Sequence, residues 1–80
     1  MISEQIVLTD KQLAYYNYIA EHVGMPASPS VVGRAVDPNY SAKDYSNAYK
    51  VILVLKYKEI IVEIKGRYYT TDKQVMKDVN

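Results

Sequence analysis

Residues 41–71 constrain this chain more than any other stretch. They read SAKDYSNAYKVILVLKYK, then EIIVEIK, then GR, then YYTT. Ser41, with Asp44 three positions on, is a helix start with a short capping-box partner. Tyr45, Ala48, Ile52 and Leu55 recur at helical spacing and are assigned to the buried stripe, while Lys43, Ser46, Asn47 and Lys50 fall on the opposite side. Val51, Val54 and Tyr57 widen the apolar surface near the far end. Ile60, Val62 and Ile64 then alternate with Ile61, Glu63 and Lys65, the pattern of a half-buried strand. Gly66-Arg67 is the expected turn, and residues 68–71 the return strand. A two-stranded hairpin is marginal alone, so this one must pack against the end of the helix that leads into it.

The first half supplies two further helices. Thr9 is a good N-cap before DKQLAYYNYIAEHV, and Gln12 completes a capping box. Leu13, Tyr16, Ile19, Ala20 and Val23 form its expected core stripe, and Gly24 its stop. Ser28 followed by Pro29 opens the second helix, with proline at N1 where its missing N–H costs nothing. Val32, Ala35 and Val36 are its expected buried side, and Asp37-Pro38-Asn39 its end. Gly33 costs about 1 kcal/mol in a helix interior relative to Ala, so a close helix–helix contact is the expected reason for it. A short strand is expected at Gln5–Leu8. Thr71, with Gln74 three positions on, can cap a short C-terminal helix carrying Val75, Met76 and Val79, or the tail can fray.

Three helices followed by a β-hairpin are the element order of a winged helix-turn-helix, an α+β fold that is mainly α. A single domain over residues 1–80 is expected, because a chain of 80 residues is short for more than one core. Leu8-Thr9-x-x-Gln12, Tyr18-Ile19-Ala20-x-His22 and Gly24-Met25-Pro26 also resemble the start of LexA-type repressors. Val32-Gly33-x-x-Val36 is similar to their second helix, and Ile52-x-x-Leu55-x-x-Lys58-x-Ile60-Ile61 to the end of their recognition helix and first wing strand. The resemblance covers residues 8–64 and implies a DNA-binding repressor domain. Two departures accompany it. The loop at residues 37–40 looks longer than the family's, and Glu59 stands where winged helices often place Gly, so a different helix exit is expected. No peptidase segment follows the hairpin, so self-cleavage is not carried over. A small stand-alone regulator of the kind a phage or plasmid encodes is the expectation.

Composition narrows the function class. There is no cysteine, which excludes disulfides and thiolate metal sites. No apolar run approaches the roughly 20 residues of a membrane span. The N-terminus lacks the basic region of a signal peptide, so a cytoplasmic protein with no membrane partner is expected. His22, the one histidine, sits near a helix C-terminus, where a structural role outweighs a catalytic one. No zinc ligand set, Gly-rich phosphate loop or HExxH occurs, so neither enzyme activity nor a cofactor or metal is expected.

Charge is distributed unevenly. Residues 1–42 hold two basic against four acidic residues, whereas residues 43–77 hold eight against four. The basic half is the half with the long helix and hairpin, which suits a phosphate-facing surface. Double-stranded DNA is therefore the expected partner. Ser46, Asn47 and Lys50, with Lys43 and Asp44 at the helix start, are the candidates for the major groove. Asn pairs with adenine and Lys with guanine, each worth about 1–3 kcal/mol of discrimination. Lys65 and Arg67 on the wing are candidates for phosphate or minor-groove contact, and Lys43 and Lys56 for further backbone contacts. Paired half-sites would call for a homodimer, with Val75, Met76 and Val79 as its seam.

The alternative is a winged helix that binds protein. All nine aromatic residues are tyrosine, and Tyr40, Tyr45 and Tyr49, with Tyr57, Tyr68 and Tyr69 beyond, would suit an interface rich in aromatic residues. An adaptor or inhibitor acting on a host polymerase or replication protein fits this reading.

Overall fold

The capping chemistry written into the chain sets the helix starts. In the computed structural model, which describes residues 5–72 and 74–77 (backbone alone at 5 and 74–77), β1 is Gln5–Leu8 and α1 is Asp10–Glu21. Thr9 Oγ1 accepts from Gln12 N at 3.3 Å while Gln12 Oε1 accepts from Thr9 N at 3.1 Å, the expected capping box. α2 is Pro29–Val36, with Ser28 Oγ accepting from Val31 N at 3.3 Å. A single 3-10 turn, Ala42–Asp44, then leads into α3, Tyr45–Tyr57. Ser41 and Asp44 form their capping box around that turn, one step ahead of the α-helix proper.

α3 ends on an irregular residue that aims everything after it. Glu59 has φ 61, in the left-handed region that glycine ordinarily fills. Ile60 N donates to Leu55 O at 3.2 Å and Glu59 N to Lys56 O at 2.9 Å, the paired bonds of a Schellman motif. Leu55 and Ile60, both fully buried, make the apolar pair that accompanies this motif. The helix thus leaves as a glycine would take it, although the residue is Glu. Burial of Ile60 and the two backbone bonds hold the strained position.

β2 is Ile61–Ile64 and β3 is Arg67–Thr70, paired antiparallel with Ile64 opposite Arg67. The turn is therefore Lys65-Gly66, one residue earlier than the expected Gly66-Arg67. Both turn residues have positive φ, 51 and 75, which two-residue hairpin turns need to match strand twist. Ile61 is buried and Ile64 is exposed, the reverse of the expected face.

The connection between α1 and α2 runs beside β3. Gly24 N donates to Tyr68 O at 2.8 Å, Tyr68 N to Met25 O at 3.0 Å, and Ala27 N to Gly66 O at 2.8 Å. Pro26 and Arg67 form an antiparallel bridge, so this short connection acts as a third ribbon of the hairpin sheet.

The C-terminal segment is a strand and not the anticipated helix. β4, Gln74–Lys77, pairs parallel with β1, Ile6 opposite Val75 and Val7 opposite Met76. Pairing with a distant edge offers backbone partners that a marginal four-residue helix could not match. Val79 lies outside the described residues. The expected strand at Gln5–Leu8 is present, and it is what displaces the helix.

The core lies among the three helices and the inner side of the hairpin. It comprises Leu8, Tyr15, Ile19, Met25, Val32, Ala48, Ile52, Leu55, Ile60, Ile61 and Tyr68. In α1 the buried stripe is Tyr15 and Ile19, with Leu13 and Tyr16 packed at its edge; Ala20 and Val23 are exposed, contrary to expectation. Ala35 and Tyr45 are likewise exposed. Gly33 is buried for the expected kind of reason but with different neighbours. A Cβ there would come within 2.6 Å of the Tyr40 ring and 3.2 Å of the Tyr15 hydroxyl. The crowding ring thus belongs to the loop at residues 37–40, held there by Tyr40 donating to Ser30 Oγ at 3.2 Å. The architecture is α+β, mainly helical.

Candidate nucleic-acid interface

Ala48, Ile52 and Leu55 point α3 into the core. At about 3.6 residues per turn, Ser46, Lys50, Leu53 and Tyr57 follow one another along the opposite side. All four are exposed, as is Asn47 beside them. The helix therefore turns outward the three polar residues singled out on it, and the long buried stripe gives that face a rigid base.

The remaining candidates divide by what holds them. Lys43, in the 3-10 turn, and Lys65, at the hairpin tip, are exposed, and like Lys50 their ammonium groups pair with no described residue. Asp44 is committed elsewhere. Its Oδ2 accepts from Ser41 N at 2.9 Å and from Ser41 Oγ at 3.3 Å, so the carboxylate serves as a cap before it can serve as a reader. Arg67 is committed as well, because Nη1 donates to Gly24 O at 2.6 Å. Its guanidinium ties the tip end of the hairpin to the α1–α2 connection. Lys56, a candidate for backbone contact, instead pairs with Glu63 at 2.6 Å across from α3 to β2. The ammonium also lies 5.9 Å from the centre of the Tyr68 ring.

These ties fix the hairpin against the helix. Thr71 Oγ1 donates to Glu59 O at 2.7 Å and Thr71 N to Ile60 O at 3.1 Å, closing the far end of β3 onto the helix exit. Tyr68, fully buried between them, has its hydroxyl pKa pushed up to about 12, first by burial and then by the Glu63 charge. The phenol stays neutral and the ring acts as packing. Of the candidate cations, Lys43, Lys50 and Lys65 are exposed and in no ion pair with a described residue.

One feature of this face was only partly legible beforehand. Tyr45, Tyr49, Leu53 and Tyr57, spaced every four residues, are 47, 45, 42 and 88% exposed. Tyr45 and Tyr49 stack on each other, centroids 6.2 Å apart. Tyr45 fits the helical spacing of the core but stands exposed in the first turn of α3, stacked on Tyr49. Leu53 carries no signal in isolation. Its position one turn from Tyr49 and one from Tyr57 is the clue.

His22 is structurally employed. Nδ1 lies 2.8 Å from Tyr18 O and the imidazole stacks on the Tyr18 ring with centroids 4.2 Å apart. Among the described residues there is no pocket, no cluster of three potential metal ligands, and no helix long and apolar enough to cross a membrane. The available surfaces are faces, and the outward side of α3 combines an exposed lysine with hydrogen-bonding side chains. No family model matches the chain, and neither a curated protein nor a solved structure shows significant similarity to it.

Proposed function

We propose that this is a winged-helix domain that binds double-stranded DNA as a small transcriptional regulator of repressor type, with α3 in the major groove and the hairpin tip on the backbone. The observation that carries this reading is the outward face of α3, where Ser46, Asn47 and Lys50 stand exposed on a helix whose other side is locked into the core. A reader of base edges needs that rigidity, since a helix that shifts loses its register with the bases. The α1–α2 connection bonded along β3 supports the wing reading, because it anchors the hairpin to the helices. Lys65 supports the backbone role. It occupies a left-handed turn position that Asn or Gly fills at lower cost, which places a cation at the tip of the hairpin.

The assignment of roles is accordingly narrower than the residue types suggested. Ser46, Asn47 and Lys50 read bases; Lys43 and Lys65 hold phosphates; Asp44 and Arg67 position the helix start and the hairpin. The test is duplex binding as a function of salt. Affinity should fall steeply as salt rises, and Lys65→Ala should lower the log–log slope by about one. Lys50→Ala should weaken binding and relax base preference at one position. If no duplex is bound in a salt-sensitive way at low ionic strength, the reading is lost.

A second reading has one observation in its favour. The Tyr45–Tyr49–Leu53–Tyr57 stripe presents every fourth residue of α3 to solvent, the spacing a partner helix covers. A protein-binding adaptor or inhibitor, acting on host transcription or replication machinery, would use that stripe and would bind no duplex.

A further inference from the structure

The stripe has a use within the DNA reading as well, and there it names the substrate. On the helix surface, neighbours lie three and four positions apart. Tyr49 therefore adjoins Ser46, Leu53 adjoins Lys50, and Lys50 adjoins Asn47, so that polar and apolar groups form one continuous exposed surface. Tyr49 and Leu53 are each a little under half exposed, their inner sides packed and their outer sides available. Such a surface, laid in a major groove, has to meet apolar as well as polar base edges. The one apolar group that a base pair presents in that groove is the C5-methyl of thymine. Asn47, on the far side of Lys50 from Tyr49 and Leu53, is the residue type that pairs bidentately with adenine.

From this juxtaposition we infer that the preferred ligand is an A·T-rich duplex, with Tyr49 and Leu53 packing on thymine methyls while Asn47 and Lys50 bond the neighbouring base edges. The inference rests on the DNA reading proposed above. Charge complementarity selects a nucleic acid over a neutral apolar partner for this stripe. Lys50 adjoins Leu53 and Lys43 stands in the turn before Tyr45, neither in an ion pair with a described residue, while Asp44 accepts from Ser41 and Glu63 pairs with Lys56. A groove reader with Tyr and Leu in contact also explains why α3 carries few cations on its outward side. Its affinity comes partly from shielding methyls from water and less from neutralising phosphates.

The experiment isolates the methyl group. A duplex recovered by selection from random DNA is synthesised twice, once with thymine and once with deoxyuridine at every thymine position. The two differ only in the C5-methyl. Shielding a methyl is worth roughly fourfold in affinity, so two contacted thymines should separate the duplexes by about tenfold or more. The Tyr49→Ala/Leu53→Ala variant should bind both duplexes alike, at the weaker affinity. Both side chains are outside the core, and thermal melting of the variant checks that it folds; Leu53→Ala alone, which should lose about half of the effect on a logarithmic scale, serves if it does not.

Equal wild-type affinity for the thymine and deoxyuridine duplexes, or recovery of G·C-rich sites, overturns the inference while leaving DNA binding intact. Failure to recover any duplex overturns both and leaves the protein-binding use of the stripe.

Discussion

The Arg67 guanidinium donates a 2.6 Å hydrogen bond to the carbonyl oxygen of Gly24, forty-three residues away in the chain. Gly24 has φ 90, so its carbonyl is aimed by a backbone conformation that other residues resist. The bond joins the first residue of β3 to the connection between α1 and α2. Together with the flanking backbone bonds it sets the hairpin relative to the helices.

Arg67→Ala should therefore destabilise the fold as well as weaken binding. A charge-assisted bond at an exposed site contributes about 1 kcal/mol. Arg67→Lys keeps a cation able to donate one such bond, and should lose less stability than Arg67→Ala. Chemical denaturation of the three proteins measures this. Unchanged stability in Arg67→Ala would return the residue to a purely ligand-facing role.

Glu59 is an opportunity to stabilise the protein. Its φ of 61 costs about 1 kcal/mol in a residue with a Cβ. Replacement by glycine should raise stability by up to that amount and leave the exit of α3 unaltered, whereas Glu59→Val should lower it. Thermal melts of both variants, against the parent, give the sign directly.

Gly33→Ala ought to behave in the opposite sense. Alanine is favoured over glycine in a helix interior by about 1 kcal/mol. Here its Cβ meets the Tyr40 ring at 2.6 and 2.8 Å, and the ring has to move away from Ser30. Overpacking of this kind typically costs about 1–3 kcal/mol, so the net change is expected to be destabilising. In a Tyr40→Ala background the same substitution should be close to neutral. If Gly33→Ala is equally costly with and without the Tyr40 ring, the crowding lies elsewhere.

Stability should decline at alkaline pH through Tyr68. Its pKa is raised from 10.0 to about 12, chiefly by burial. A group raised in the folded state contributes full stability below its unfolded pKa, and that contribution is lost as pH rises through the folded value. The window is therefore pH 10 to 12, and the contribution at stake is about 2–3 kcal/mol. Tyr15, also raised by burial, adds to the same trend. Denaturation midpoints measured from pH 8 to 11 should fall less steeply in Tyr68→Phe than in the parent. Parallel profiles would mean that the Tyr68 hydroxyl ionises freely in the folded protein.

Local chemistry was legible in the chain wherever one residue acts on its near neighbours. The Thr9–Gln12 box, the Ser28 cap before Pro29, the Ser41–Asp44 box and the buried Ala48, Ile52 and Leu55 stripe all depend on contacts three or four positions apart. So does the exposure of Ser46, Asn47 and Lys50, which follows from the stripe that faces away from them. Helix periodicity is strict enough that knowing the buried side determines the outward one.

What tertiary structure alone decided are the features that need a partner from elsewhere in the chain. Gln74–Lys77 becomes a strand because Gln5–Leu8, about seventy positions earlier, presents an edge to it. Arg67 leaves the turn and becomes an anchor because Gly24 O lies within its reach. Ile61 and not Ile64 is buried because the hairpin face that carries Ile61 and Tyr68 is the one turned into the core. Tyr45, correctly spaced for the core, stays outside it and stacks on Tyr49. Residue type and spacing state which groups are able to bond or bury; only the assembled fold supplies the second surface, and that surface determines whether Arg67 grips a phosphate or holds the hairpin in place.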